Sequence, residues 1–108
     1  MTAGTRSRRP ELVDRVGKTL LGDDPLVHAA MWEMIAEFEL VAALPRILCP
    51  TLVLVGEFDC SSPVAAARQL RDGIPDARLR VTPDAAHMSP LEKPDVVNAH
   101  LVDFLAST

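Results

Sequence analysis

The sequence predicts an α/β fold built around a short parallel sheet, and three observations carry that prediction. The run Leu52-Val53-Leu54-Val55, entered through Thr51, is apolar without alternation and rich in β-branched residues. That is the habit of a strand covered on both faces, as in parallel sheets. An amphipathic helical pattern and a second short strand follow it, and strand–helix–strand makes a right-handed parallel unit by default. Helical periodicity flanks this unit on both sides.

Residues 1–9 read as a tail, and their basic cluster, Arg6, Arg8 and Arg9, as a solvated, frayed terminus. From Pro10 to Leu21, apolar residues at Leu12, Val13, Val16, Leu20 and Leu21 have helical spacing, with Gly22 as a stop. Asp23-Asp24-Pro25 is a helix start, an Asp cap with proline in the first turn. The next helix is expected from Pro25 to about Leu44. Val27, Met31, Met34, Ile35, Phe38, Val41 and Ala42 keep a period near 3.6. Trp32 and Ala29-Ala30 widen its apolar face.

Pro45 and Pro50 bracket a linker before the strand Thr51–Val55. Gly56-Glu57-Phe58-Asp59 ends that strand. Ser61 or Ser62 is expected to cap the following helix, with Pro63 in its first turn. Val64, Ala67, Leu70 and Ile74 form the inner stripe of this helix, and Gly73 stops it. Arg78–Val81 is the second strand. A loop from Thr82 to Lys93 carries His87, and Pro94 opens a last helix with Val97, Leu101, Phe104 and Leu105 on its apolar side.

Bulk properties narrow the function. A chain of 108 residues allows one small domain. Net charge is −4, which argues against nucleic acid as a partner, since phosphate binding needs a basic face. Cys49 and Cys60 flank an extended strand too long for disulfide reach, so both read as reduced thiols. The N-terminus lacks an apolar segment of signal-peptide length, and no run approaches the roughly 20 apolar residues of a membrane span. The expectation is a soluble, cytoplasmic protein without membrane partners.

Two residues together point to chemistry. Asp59 lies just past the carboxyl end of the first strand, and His87 lies in the loop after the second. Loops at the carboxyl ends of parallel strands converge on one edge. A carboxylate there can hold an imidazole in one tautomer and stabilise its charged form. The imidazole can then serve as base, and later as acid, toward a hydroxyl nucleophile. Alone, Asp59 reads as a turn residue and His87 as a surface histidine. It is their joint placement that favours a triad.

The flanking runs are specific. Cys49-Pro-Thr-Leu-Val-Leu-Val-Gly-Glu-Phe-Asp59, followed by Ser-Ser-Pro-Val, resembles the penultimate strand and acid loop of α/β-hydrolases. Ala86-His87-Met-Ser-Pro-Leu-Glu-Lys-Pro-Asp95 and the helix after it resemble the histidine loop and final helix of that family. Residues 10–48 are similar to the last cap helices of 3-oxoadipate enol-lactonase-like members. The resemblance implies the C-terminal portion of an α/β-hydrolase fold, with two parallel strands, flanking helices and remnant cap helices. It divides the chain into a tail (1–9), cap-like helices (10–44) and a core segment (45–108). It makes Asp59 the triad acid and His87 the triad base. Met31, Trp32, Phe58 and Met88 are the candidate substrate-binding residues, although core packing explains Met31 and Trp32 equally well.

The nucleophile is missing from this pattern. No G-x-S-x-G occurs, and none of Gly4, Gly17, Gly22, Gly56 and Gly73 frames a serine. Ser61 and Ser62 read as caps beside Pro63, and Ser89 as part of a turn. Cys60 reads as a small apolar residue rather than a reactive thiol. Three dispersed histidines have no metal-ligand spacing, and no cofactor is expected. Two readings result. In one, the chain is a truncated part of a hydrolase whose parent cleaves a small-molecule carboxylic ester or lactone, and it is inert alone. In the other, it is a non-catalytic interaction module that forms a homodimer or pairs with a complementing N-terminal half.

Overall fold

The computed structural model describes residues 1–108, which fold as two compact units, Ala3–Leu40 and Val41–Thr108 with Met1–Thr2. The smaller unit is helical. Helix α1 spans Ala3–Arg8, α2 Pro10–Leu21 and α3 Pro25–Ala36, and α1 packs on α2. The first residues are therefore more ordered than the tail expected from their composition. Pro10 opens α2 and Gly22 closes it. Asp24 caps α3, its Oδ1 accepting the N–H of Leu26 at 2.8 Å, with Pro25 at the first helical position.

Helix α3 is shorter than its periodicity predicts. It stops at Ala36, and Val41–Arg46 forms a separate 3₁₀ turn around Pro45. Residues 37–40 contain neither glycine nor proline, so nothing in their chemistry announces the break. Pro45 accounts for the tight geometry downstream, since it lacks an N–H and disfavours an α conformation before it.

The larger unit is α/β. Strand β1 (Thr51–Gly56) and strand β2 (Ala77–Thr82) are parallel, in register from Thr51 beside Ala77 to Gly56 beside Thr82. Helix α4 (Val64–Gly73) connects them and packs on both. The short helix α5 (Ser89–Glu92) and the long α6 (Pro94–Ala106) complete the unit. Leu44, Val55, Ala67, Ile74, Ala85, Ala86 and Val97 are buried. The guanidinium of Arg78 sits 5.6 Å from the Phe104 ring centre, a cation–π contact between β2 and α6.

Three expectations need correcting. β1 is only half-buried from Thr51 to Leu54, because β2 is its sole strand neighbour. Leu70, expected on the inner stripe of α4, is 41% exposed for the same reason. Ser61 and Ser62 do not cap α4 with their side chains; Pro63 takes the cap position, and the serine amides point elsewhere. No helix is long and apolar enough to cross a membrane.

Candidate active site

Both strands of the sheet end in loops on the same edge. β1 runs into Glu57–Pro63, which carries Asp59, and β2 runs into Pro83–Met88, which carries His87. Backbone bonds lace the two loops together. Glu57 N–H donates to Thr82 O at 3.0 Å, and Phe58 N–H donates to Ala85 O at 2.8 Å. The Glu57 carboxylate accepts the N–H of Asp84 at 3.0 Å, and the Asp84 carboxylate accepts from Lys93 Nζ at 2.8 Å. Asp84 adopts φ 51°, a left-handed turn that Asp tolerates better than most side chains.

Asp59 and His87 meet across this lacing. His87 Nδ1 lies 3.1 Å from Asp59 Oδ1 and 3.0 Å from Oδ2. A carboxylate only accepts, so Nδ1 is the nitrogen that donates, and Nε2 of the neutral ring is the basic one. The Asp59 side chain is 6% exposed, whereas that of His87 is 56% exposed. The acid is thus built into the protein while the imidazole faces outward.

The amides of Ser61 and Ser62, displaced from the capping role, both donate to Asp59 Oδ1 at 2.9 Å. Burial by itself pushes the Asp59 carboxyl up. The Ser62 amide, the His87 ring and the Ser61 amide outweigh burial, and the charge of protonated His87 acts in the same direction. The net effect holds the carboxyl below its ordinary value of 3.8. Asp59 is therefore a carboxylate at neutral pH, as an acceptor for imidazole must be.

A cavity of about 410 Å³ borders the pair, walled by Val53, Leu54 and Val55 of β1 and by Ala66, Ala67 and Leu70 of α4. Ser62 and Ser89 also line it, but neither hydroxyl is hydrogen-bonded to His87. Phe58 is exposed beside Asp59, and Met88, half-buried beside His87, precedes α5. In the helical unit, Met31 and Trp32 share a smaller cavity of about 200 Å³ with Asp23, His28 and Ile35. Trp32 is 60% exposed there. Cys49 and Cys60 are exposed free thiols at opposite ends of β1. No group of three or more His, Cys, Asp or Glu is arranged to hold a metal ion.

Two residues of this site were not singled out by motif. A β-carbon on Gly56 would overlap Ala85 and Ala86, so only glycine lets the histidine loop lie over the end of β1. Glu92 is buried and accepts the Ala86 N–H at 3.0 Å. The sequence carries no signal for it, because Glu92 stands between Lys93 and the exposed Leu91 on a short turn where a solvated glutamate is ordinary.

No family profile matches the sequence. Individual proteins do. The 3-oxoadipate enol-lactonase 2 of Acinetobacter baylyi is 31% identical over 102 residues, covering 94% of this chain and 38% of that protein. The enol-lactonase from Burkholderia xenovorans LB400 superimposes with a TM-score of 0.93 at 30% identity, over 97% of this chain and 40% of its own. A thermophilic esterase from Thermogutta terrifontis superimposes with a TM-score of 0.88 at 33% identity, over 98% of this chain and 39% of its own. The chain thus spans about two fifths of the length of each of these relatives.

Proposed function

This chain belongs to the α/β-hydrolase family, matching the C-terminal part of its members, and from that premise we propose that Asp59 and His87 are the acid and base of a Ser-His-Asp triad. The observation that carries this reading is the pairing of a buried carboxylate with Nδ1 of an outward-facing imidazole. In the proposed reaction a serine supplied from outside these residues attacks the carbonyl of a small carboxylic ester or lactone. His87 Nε2 takes the serine proton as the bond forms. It returns that proton to the leaving oxygen as the ester bond breaks, and Asp59 stabilises the imidazolium between the two steps. Water then attacks the acyl-serine by the same proton route, releasing the acid. Phe58 and Met88, each next to one member of the pair, are proposed to contact the substrate.

With no G-x-S-x-G in these residues, the chain by itself is proposed to be inert. The test is hydrolysis of p-nitrophenyl acetate by the purified chain, with a full-length relative as control. The expected rate is that of buffer. Turnover that disappears in His87→Ala would refute the claim of inertness.

A second reading, association, is favoured by β1. This strand pairs on one side only, beside an apolar cavity. An open, apolar strand edge invites another strand. We propose that this edge is covered by a complementing N-terminal half or, in its absence, by a second copy.

A further inference from the structure

Glu92 stands outside the Asp59–His87 pair but is built into the same loop. Its side chain is 0% exposed. A carboxylate accepts such burial only when its oxygens are hydrogen-bonded. Oε1 accepts the Ala86 N–H at 3.0 Å, and Oε2 accepts the Thr2 N–H at 2.7 Å. The turn of α5 makes this possible. It brings the chain back under its own loop, closed by Glu92 N–H donating to Met88 O at 2.9 Å.

Ala86 immediately precedes His87, so the amide that Glu92 holds is one residue from the imidazole. The same stretch is gripped from the other side. Phe58 N–H binds Ala85 O, and Gly56 leaves just enough room for the Ala86 carbonyl. Residues 85–86 are thus fixed between the end of β1 and a buried carboxylate.

We propose that Glu92 is a positioning residue for His87, acting through the Ala86 amide to keep Nδ1 on Asp59. It touches neither imidazole nor substrate. The role rests on the reading of Asp59 and His87 as a functional pair, and it adds a residue to which no part has been assigned. A carboxylate suits this place because the Ala86 and Thr2 N–H groups donate to its two oxygens and the Met1 ammonium lies 3.8 Å from Oε1. Glutamine offers one acceptor and one donor in that place, so one of the two bonds becomes donor against donor.

The experiment is nitrogen-15 spectroscopy of the histidine rings in this chain, read as the tautomer of neutral His87, with His28 and His100 as internal references. The expected wild-type signature is the Nδ1–H form selected by Asp59. In a folded Glu92→Gln variant that selection is expected to be lost, the signals moving to the Nε2–H form that free histidine favours. A folded variant that keeps the Nδ1–H form in full overturns the role of Glu92 while leaving the pair intact. A wild-type chain in the Nε2–H form overturns the pair itself, and this role with it. Should the glutamine variant fail to fold, the Ala86 amide of the wild-type chain decides. Exchange about tenfold or more slower than in an unstructured peptide supports the clamp, and exchange at the unstructured rate overturns it.

Discussion

Gly56 lies directly against Ala86: a β-carbon at position 56 would stand 2.6 Å from the Ala85 oxygen and closer still to that of Ala86. No glycine in the chain has positive φ, so what matters here is space rather than backbone freedom. The atoms in the way are backbone carbonyls, that of Ala85 held by the Phe58 N–H, not the tips of flexible side chains. Gly56→Ala must therefore push the histidine loop off the end of β1. The expected cost is about 1–3 kcal/mol, in the range of overpacked interiors. Urea unfolding measures it, and an unchanged midpoint would show that the loop moves aside freely.

The depressed titration of Asp59 has a consequence for stability at low pH. A carboxyl held below its unfolded value in the folded state binds protons more readily in the unfolded chain. Its stabilising contribution is complete above the ordinary value of 3.8 and is lost as pH falls through the folded value. Asp59→Asn removes the titrating group. Unfolding free energies of the two proteins, measured from neutral pH down past 3.8, should converge as the pH drops. Parallel curves would mean that the Ser61, Ser62 and His87 contacts do not favour the charged form.

Much of this site was legible in the sequence, and the parts that were not share a cause. The pairing of Asp59 with His87 follows from where two strands end, and strand ends leave a strong signal in Thr51–Gly56 and Ala77–Thr82. Backbone roles leave almost none. Ser61 and Ser62 look like caps because their side chains are the usual caps, yet it is their amides that matter, bound to Asp59. Gly56 and Glu92 act on the main chain of Ala86, which has no sequence signature. The half-exposure of β1 is likewise invisible in its composition. An apolar run records the cover a strand is suited to, and β2 alone supplies part of it.

That mismatch leads to a prediction about size in solution. Val53 and Leu54 are half-buried apolar residues on a strand with one paired side, and Leu70 of α4 is exposed on the same cavity. Two-stranded sheets are marginal in water, so covering this edge lowers the free energy of the chain. The isolated chain is expected to run above monomer mass in light scattering after gel filtration. Leu70→Lys, which places a charge in the cavity wall, should shift the distribution toward monomer. A wild-type chain that is a clean and stable monomer would contradict the reading of the β1 edge as an association surface.

The proposed triad can be tested where a nucleophile is present. A chimera joining the N-terminal three fifths of the Burkholderia xenovorans enol-lactonase to this chain is reasonable, given their TM-score of 0.93. If Asp59 and His87 fill the places of acid and base, the chimera should hydrolyse an ester or lactone that neither half cleaves alone. On that reading His87→Ala removes the base, and Asp59→Asn leaves the imidazole without the carboxylate that accepts from Nδ1. Asp59→Asn should lower kcat by about 10⁴-fold, the loss seen when the acid of a serine protease triad is made an amide, and His87→Ala by about 10⁶-fold, the loss seen when a triad histidine is removed. KM should change little, since neither side chain needs to bind the ground-state substrate. Combining the two substitutions should cost scarcely more than His87→Ala alone, because an acid with no imidazole to orient has nothing left to do. Independent, additive losses would instead place Asp59 in a role separate from His87, and the pair would not be a catalytic unit.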